Sequence, residues 1–233
     1  AAGQFARGTR QGRLRDVVLD LLATAVEAGA DLLDVNVGLP AIDDAEAMRE
    51  AIKGIQSVVD VPLLIDSTDE RAIEAGLRVY CGKGLVNSVN GEDDVLDRIL
   101  PIVSKYGAAV VGLTLDEAGI PKTAEQRLAI AEKILNRAIE FGIDPHDVYI
   151  DCLVLPAAAD ETGAGLALEA MKLVQKKLGA KTIFGVSNVS FGLPNRPLIN
   201  RVFLAACLQQ GLNLAIVDPL DQEMVQTVRA SNA

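Results

Sequence analysis

Cysteine, histidine and positive charge are all scarce in this sequence, and each shortage removes a class of function. Cys81, Cys152 and Cys207 are odd in number, far apart and without His or Cys at ligand spacing, which argues against a disulfide framework and against a zinc site. The single histidine, His146, leaves no metal-ligating His set. Lys and Arg number 22 against 32 Asp and Glu, a formal charge of −10 that repels nucleic acid and anionic membrane. No apolar run approaches the length of a membrane span, and the opening AAGQFARGTRQGR lacks the apolar core of a signal peptide, so the expectation is a soluble, cytoplasmic protein. No Pro/Gly/Ser-rich linker or low-complexity block divides the chain, and the reading is one domain over residues 1–233.

What is present is a repeating unit. Seven short apolar segments recur: 31–37 (DLLDVNV), 62–67 (PLLIDS), 84–89 (GLVNSV), 108–114 (AAVVGLT), 147–152 (DVYIDC), 181–187 (KTIFGVS) and 213–218 (NLAIVD). Between them, stretches such as 14–30 and 124–142 carry apolar residues at helical spacing and end at glycine. Continuous apolar strands alternating with amphipathic helices define βαβ units and a parallel sheet covered on its faces.

The strand ends choose between an open sheet and a barrel. Asp34, Asn36, Asp66, Asn87, Thr114, Asp151, Asn188 and Asp218 stand at or near the C-terminal ends of the seven segments. An open doubly wound sheet gathers ligand groups at one switch point, whereas a (β/α)8 TIM barrel brings every strand end to one rim. A dinucleotide fold would also need G-x-G-x-x-G between strand and helix, which is absent. The expected fold is therefore an α/β (β/α)8 barrel. Its first strand has no candidate ahead of residue 14, and the last helix, at about 221–230, is clipped, so a chain trimmed at both ends is expected.

The rim residues offer acceptors and donors without a basic cluster. A phosphate substrate calls for Gly-rich turns with Lys or Arg, so a neutral heteroaromatic ring with N–H edges suits them better. Two carboxylates can accept from an amino-pyrimidinone ring while amides pair with its other nitrogens. Helix capping competes as an explanation for any one Asp or Asn, but the set sits at or within strand ends rather than at the N-caps that follow.

These segments also carry a resemblance. LDVNVG (33–38), LIDST (64–68), VNSVNGE (86–92), GLTLDEAGIPKT (112–123), YIDCLVLP (149–156), GVSNVSFGLPNRPLINRVFL (185–204) and AIVDPLD (215–221) resemble, in order and over nearly the whole chain, the methyltetrahydrofolate-binding methyltransferase family. That family includes the folate domain of cobalamin-dependent methionine synthase and the methyltetrahydrofolate:corrinoid/iron-sulfur protein methyltransferase. The resemblance implies a pterin-binding, dihydropteroate synthase-like barrel. It implies methyltetrahydrofolate or tetrahydrofolate as substrate, cobalamin or another corrinoid carried by a partner protein or domain, and a homodimer. It implies that Asp66, Asn87 and Asp151 hydrogen-bond the pterin ring and that Asn188 lies near N5, the atom bearing the methyl group. Arg196 matches an arginine that positions the folate or the Asn188 loop.

Two departures stand out: Cys152 replaces the Pro that commonly follows the Asp of YID, and the first strand is missing. The cobalt-ligating pattern D-x-H-x-x-G is half-matched by Asp144 and His146, with Tyr149 in place of the Gly, so the corrinoid is expected on a partner. Two alternatives stay open: a dihydropteroate synthase-like enzyme, expected to show a basic residue and an Arg-x-His where this chain reads SNVS and VDPLD, and a non-catalytic folate-binding or corrinoid-docking module. For methyl transfer, with no strong acid beside Asn188 in sequence, its amide is expected to supply a hydrogen bond that strengthens as charge develops at N5.

Overall fold

Seven parallel strands alternate with eight α-helices in a computed structural model that describes residues 10–38 and 42–232, with side chains from Val18 onward. The strands are β1 (Leu33–Asn36), β2 (Leu63–Asp66), β3 (Leu85–Asn90), β4 (Ala109–Leu113), β5 (Val148–Asp151), β6 (Lys181–Gly185) and β7 (Leu214–Ile216). The helices are α1 (Arg10–Ala28), α2 (Asp44–Gln56), α3 (Glu70–Val79), α4 (Asp93–Tyr106), α5 (Ala124–Glu140), α6 (Gly163–Leu178), α7 (Arg196–Gln209) and α8 (Gln222–Ser231). The sheet runs in simple sequence order, β1 to β7. Residues 1–9, where an eighth strand was sought, lie outside the described residues; residues 10–13, the rest of that stretch, belong to α1.

The described residues fall into two compact units, one within residues 1–88 and 98–110, the other within 89–97 and 111–233. In the first unit, Leu63, Leu64 and Ile65 are buried on β2, and Met48, Ile52, Ile55 and Ile73 of α2 and α3 are buried with them. Both helices start at an aspartate: Asp43 accepts from the amides of Ala45 and Glu46, and Asp69 from that of Arg71, each satisfying donors a helix start leaves open. In the second unit the core is built on Val148, Ile150, Ile183 and Phe184, with Ile130, Ala131 and Ile134 of α5 and Ala167, Met171 and Val174 of α6. Thr123 caps α5 by accepting from the Gln126 amide, and Gly179 ends α6 in the left-handed conformation at φ 65°. The acidic run before α4 opens a helix as its charge suits, with Asp93 and Asp94 in the first turn.

Two strand boundaries differ from the sequence reading. β6 stops at Gly185, and residues Val186–Ser190 form a 3-10 turn instead of a continued strand. Side-chain capture explains the break: Ser190 Oγ and Arg196 Nη2 both donate to the Ser187 carbonyl, which is thereby withdrawn from any ladder. β7 stops at Ile216, and Asp218 lies in the following turn, accepting from the Leu220 amide at 2.9 Å. Asp218 is thus a turn residue rather than a strand end.

Candidate active site

In the first unit, strand register aligns the polar ends of β1 and β2 with Asn87, which lies inside β3 rather than at its end. Asn36 pairs with Asp66, and Asp66 pairs with Asn87, so the three residues share one rung of β1, β2 and β3. Parallel neighbours on one rung project their side chains to the same face of the sheet. Asn36 Nδ2 donates to Asp66 Oδ2 at 2.9 Å, and the Ser67 amide donates to the Asn87 carbonyl at 2.9 Å, which fixes the end of β2 against β3. Asp66 therefore has one oxygen held by a neighbouring amide, and Asn87 keeps its side-chain amide for something else. Asp34 stands two residues before Asn36 on the same side of β1. Burial, and then the nearby Asp66 carboxylate, push its carboxyl up from the ordinary 3.8 to about 6. The sequence reading counted Asp34 and Asn36 among the polar ends but gave neither a role; their spacing of two along a strand was the available signal.

In the second unit, Asp151 ends β5. Its carbonyl accepts from both the backbone amide and the hydroxyl of the buried Thr114, at 3.0 and 3.2 Å. Its side-chain Oδ1 accepts from the Leu153 amide at 2.7 Å. That bond is made by a tight turn in which Leu153 adopts φ 60°, a left-handed conformation that costs a residue with a Cβ about 1 kcal/mol or more. Burial pushes the Asp151 carboxyl up from 3.8 to about 7, against the lowering effects of the Leu153 amide and the Arg127 charge.

Beneath this turn lies a residue the sequence reading missed. Arg127 of α5 is wholly buried. Its Nη1 donates to the carbonyls of Cys152 and Leu153 at 2.5 and 2.8 Å, and its Nε donates to the Pro121 carbonyl at 3.1 Å. Burial lowers the proton affinity of the guanidinium, yet an arginine remains charged in proteins. The signal was present: Arg127 lies three residues after Ala124 and three before Ile130, on the stripe of α5 that faces the core. Cys152, the departure from the family pattern, is fully buried and gives Arg127 only its carbonyl, which almost any residue supplies. Burial pushes its thiol up, so it is a packing residue rather than a nucleophile.

Asn188 lies in the middle of the 3-10 turn and is exposed. Its carbonyl accepts from the Phe191 amide at 3.2 Å, and among the described residues no hydrogen bond engages its side-chain amide. A Cβ on Gly185 would sit 2.9 Å from Asn188 Nδ2, so the glycine leaves the space in which that amide rests. Arg196 fastens the turn: Nε donates to Ser190 Oγ at 3.0 Å, Nη2 donates to the Ser187 carbonyl at 3.2 Å, and the guanidinium lies 5.7 Å from the centre of the Phe191 ring. Of the two roles the resemblance allowed Arg196, holding the loop is the one these contacts perform. The Ala157 amide donates to the Val189 carbonyl at 2.9 Å, which ties the loop after β5 to the turn after β6. Asp66 and Asn87 are thus neighbours in the first unit, and Asp151, Asn188 and Arg196 belong to one connected set of loops in the second.

His146 is elsewhere. It sits in a 3-10 turn, Pro145–Asp147, that leads into the start of β5, with its ring nitrogen 2.9 Å from Asp144. Asp151 is at the other end of that strand.

Strand ends bearing carboxylates and amides on an alternating β/α chain define a class that comparison identifies. The chain belongs to the pterin-binding enzyme family, whose model, described as pterin binding enzyme, matches residues 4–218. Among curated relatives, it is 29% identical over 219 residues to a methylcorrinoid:tetrahydrofolate methyltransferase of Eubacterium limosum, covering 93% of this chain and 81% of that protein. It is 34% identical over 212 residues to methionine synthase of Mycobacterium leprae, covering 85% of this chain but only 18% of that much longer protein. These names agree with the resemblance to methyltetrahydrofolate-binding methyltransferases.

Solved structures agree on the fold. Dihydropteroate synthase from Stenotrophomonas maltophilia matches with a TM-score of 0.75 at 17% identity, over 94% of this chain and 88% of that one. The Xanthomonas albilineans enzyme matches with a TM-score of 0.73 at 18% identity, over 97% and 90%. At such identities the likeness concerns architecture alone, and that architecture is the α/β TIM barrel expected from the strand ends. No helix among the described residues is long and apolar enough to cross a membrane.

Proposed function

We propose that the chain catalyses methyl transfer between N5 of methyltetrahydrofolate and the cobalt of a corrinoid carried by a partner protein or domain. The observation that carries the reading is the Asn188 turn: an exposed amide without a hydrogen-bond partner among the described residues, on a loop fastened by Arg196 at Ser187 and Ser190. An amide anchored in this way is a preorganised donor, the kind of group that favours a transition state in which charge develops on a nitrogen. The names of the curated relatives support the same chemistry.

In this proposal, Asp66, Asn87 and Asp151 recognise the pterin ring. The carboxylates accept from its N–H edge and the Asn87 amide pairs with a remaining ring atom. Asp66 and Asp151 each already accept one protein N–H, which orients the carboxyl group and leaves the other oxygen for the ring. Asn188 donates to N5. A methyl group on a tertiary amine departs poorly because N5 must take up an electron pair, and a hydrogen bond from Asn188 that shortens as the pair arrives lowers that barrier. Arg196 acts by keeping the Asn188 turn in place. No acid adjoins Asn188 in the sequence, and the proton that finally neutralises N5 arrives through water or a neighbouring hydrogen-bond network.

The residues here do not suit corrinoid ligation. His146, the only histidine, is held by Asp144 at the far end of β5 from Asp151. The corrinoid therefore enters the proposal as the partner's methyl acceptor or donor. The same proposal takes residues 1–233 as a single pterin-binding domain that works in the cytoplasm as a homodimer, which sedimentation of the purified chain would read out.

The test is to mix the chain with methyltetrahydrofolate and a Co(I) corrinoid and follow the cobalt absorption. The proposal expects loss of the Co(I) band at a rate proportional to the concentration of the chain. Methyltetrahydrofolate binding without that loss would leave a folate-binding module. Condensation of a pterin pyrophosphate with 4-aminobenzoate would instead favour the dihydropteroate synthase-like alternative.

A further inference from the structure

We infer that Arg127 is a positioning residue for Asp151: from beneath the loop after β5, its guanidinium holds the carbonyls of Cys152 and Leu153 and so fixes the left-handed turn that aims the Asp151 carboxylate. The inference rests on the proposed reading of Asp151 as a pterin contact and assigns that contact its support.

The geometry forms one chain of bonds. Arg127 Nη1 donates to two successive carbonyls, Cys152 at 2.5 Å and Leu153 at 2.8 Å, while Nε donates to Pro121 at 3.1 Å. A bond to Leu153 from below holds that residue at φ 60°, a conformation a leucine does not choose by itself. In that conformation the Leu153 amide points back to Asp151 Oδ1, 2.7 Å away. One carboxylate oxygen is thereby occupied, and the rotation of the carboxyl group is set. Among the described residues nothing bonds the other oxygen, which is the one left for a ligand.

Two further features favour positioning over simple packing. Arg127 is the largest fully buried side chain of the described residues, and its Nη2 has no hydrogen-bond partner there. A buried guanidinium with an unused donor is a poor choice for stability alone, since an apolar residue of similar volume avoids that cost. The planar fork also does what a lysine cannot, because it reaches carbonyls of two separate segments, Pro121 and the 152–153 pair, in fixed directions. The charge has a second effect in the same direction: with Asp151 facing Arg127 and Cys152, and Asp160 also within the field of the guanidinium, Arg127 favours the ionised Asp151 against its burial.

The experiment is a double-mutant cycle on the full chain, with Arg127→Met, Asp151→Asn and the pair, read as methyltetrahydrofolate affinity by calorimetry. Arg127→Met should weaken binding by about tenfold or more, the factor that one charge-assisted hydrogen bond to a ligand carries. In the Asp151→Asn background it should cost little further, because its effect passes through the carboxylate; a role confined to folding would give losses that multiply. Wild-type affinity in Arg127→Met, or full multiplication in the pair, overturns the inference. Should Arg127→Met fail to fold, Arg127→Lys replaces it. One ammonium cannot span the three carbonyls, so a loss of about threefold or more is expected, and wild-type affinity there also overturns the inference. Absence of methyltetrahydrofolate binding by the wild-type chain is a different result, which removes the functional proposal beneath it.

Discussion

Replacing Asp151 by Asn separates what that carboxylate costs the fold from what it does for a ligand. Burial raises its proton affinity from the ordinary 3.8 to about 7, so between those values the folded chain holds a proton that the unfolded chain releases. Stability contributed by the group is then highest at low pH and falls as pH rises through that window. At about 1.4 kcal/mol per tenfold change in proton affinity, the loss is about 4 kcal/mol as an upper bound, and partial access to solvent reduces it to about 2 kcal/mol. Asparagine carries no charge at any of these pH values, and its Oδ1 still accepts from the Leu153 amide. Asp151→Asn should therefore be more stable than the wild-type chain by about 2 kcal/mol at pH 8 and nearly equal to it at pH 4. Urea unfolding of both proteins at the two pH values measures this directly. A variant less stable than wild type at pH 8, or a difference of the same size at both, would refute the assignment of the carboxyl as a buried, costly anion. The same protein should bind methyltetrahydrofolate about tenfold or more weakly, since an amide presents a donor or a weaker acceptor where the ring needs a carboxylate.

Asn188→Ala should slow methyl transfer by about a hundred- to a thousandfold while changing methyltetrahydrofolate affinity little, as removing a transition-state donor does; equal losses in both would sink the N5 role. Gly185→Ala places a Cβ 2.9 Å from Asn188 Nδ2, at the tip of a side chain that can turn away. It should keep the melting temperature within about 3 °C and cut single-turnover transfer about tenfold to a hundredfold by misplacing the amide. Unchanged transfer would mean that the resting position of the amide is not the working one. Arg196→Met removes the bonds to Ser190 Oγ and the Ser187 carbonyl together with the contact over Phe191. Transfer should fall about tenfold with a smaller effect on pterin affinity, and Arg196→Lys should not restore it, because one ammonium lacks the planar fork. Equal damage to affinity would favour direct contact with the folate.

The fold was legible because its code is local and repeated. A run such as Leu63–Ile65 is buried on both faces, is followed by a helix with a capping aspartate, and is ended by a polar residue that stands out against it. Asp66, Asn87 and Asp151 could be named from that contrast alone. Asn188 was read at the end of a strand over 181–187, whereas β6 stops at Gly185 and side-chain bonds from Ser190 and Arg196 to one carbonyl turn the chain into a 3-10 loop. Long-range side-chain capture of a backbone group leaves no periodic trace. Arg127 was hidden differently. In AEQRLAI it reads as one more charge on an amphipathic helix, and only the partners Cys152 and Leu153, 25 and 26 residues further on, reveal why a cation occupies a core position.

These placements bear on how the candidate site reconciles opposed demands. Recognition of N–H groups needs carboxylates that are dry enough to prefer a ligand to water, yet dryness drives the same carboxylates toward protonation, in which one oxygen becomes a donor. Asp34, near 6, and Asp151, near 7, both show the pull of burial. Asp151 is opposed in that pull by a backbone amide and a buried guanidinium, while Asp34 has the Asp66 carboxylate as its neighbour and is pushed further in the same direction. The two acids are therefore balanced by different neighbours. Asp151 nevertheless holds its proton more readily than Asp34, because the burial acting on it outweighs the Leu153 amide and the Arg127 charge that oppose it. The protonation state that each strand end presents is thus set by the charge and the burial around its carboxyl, and not by its place in the sequence pattern alone.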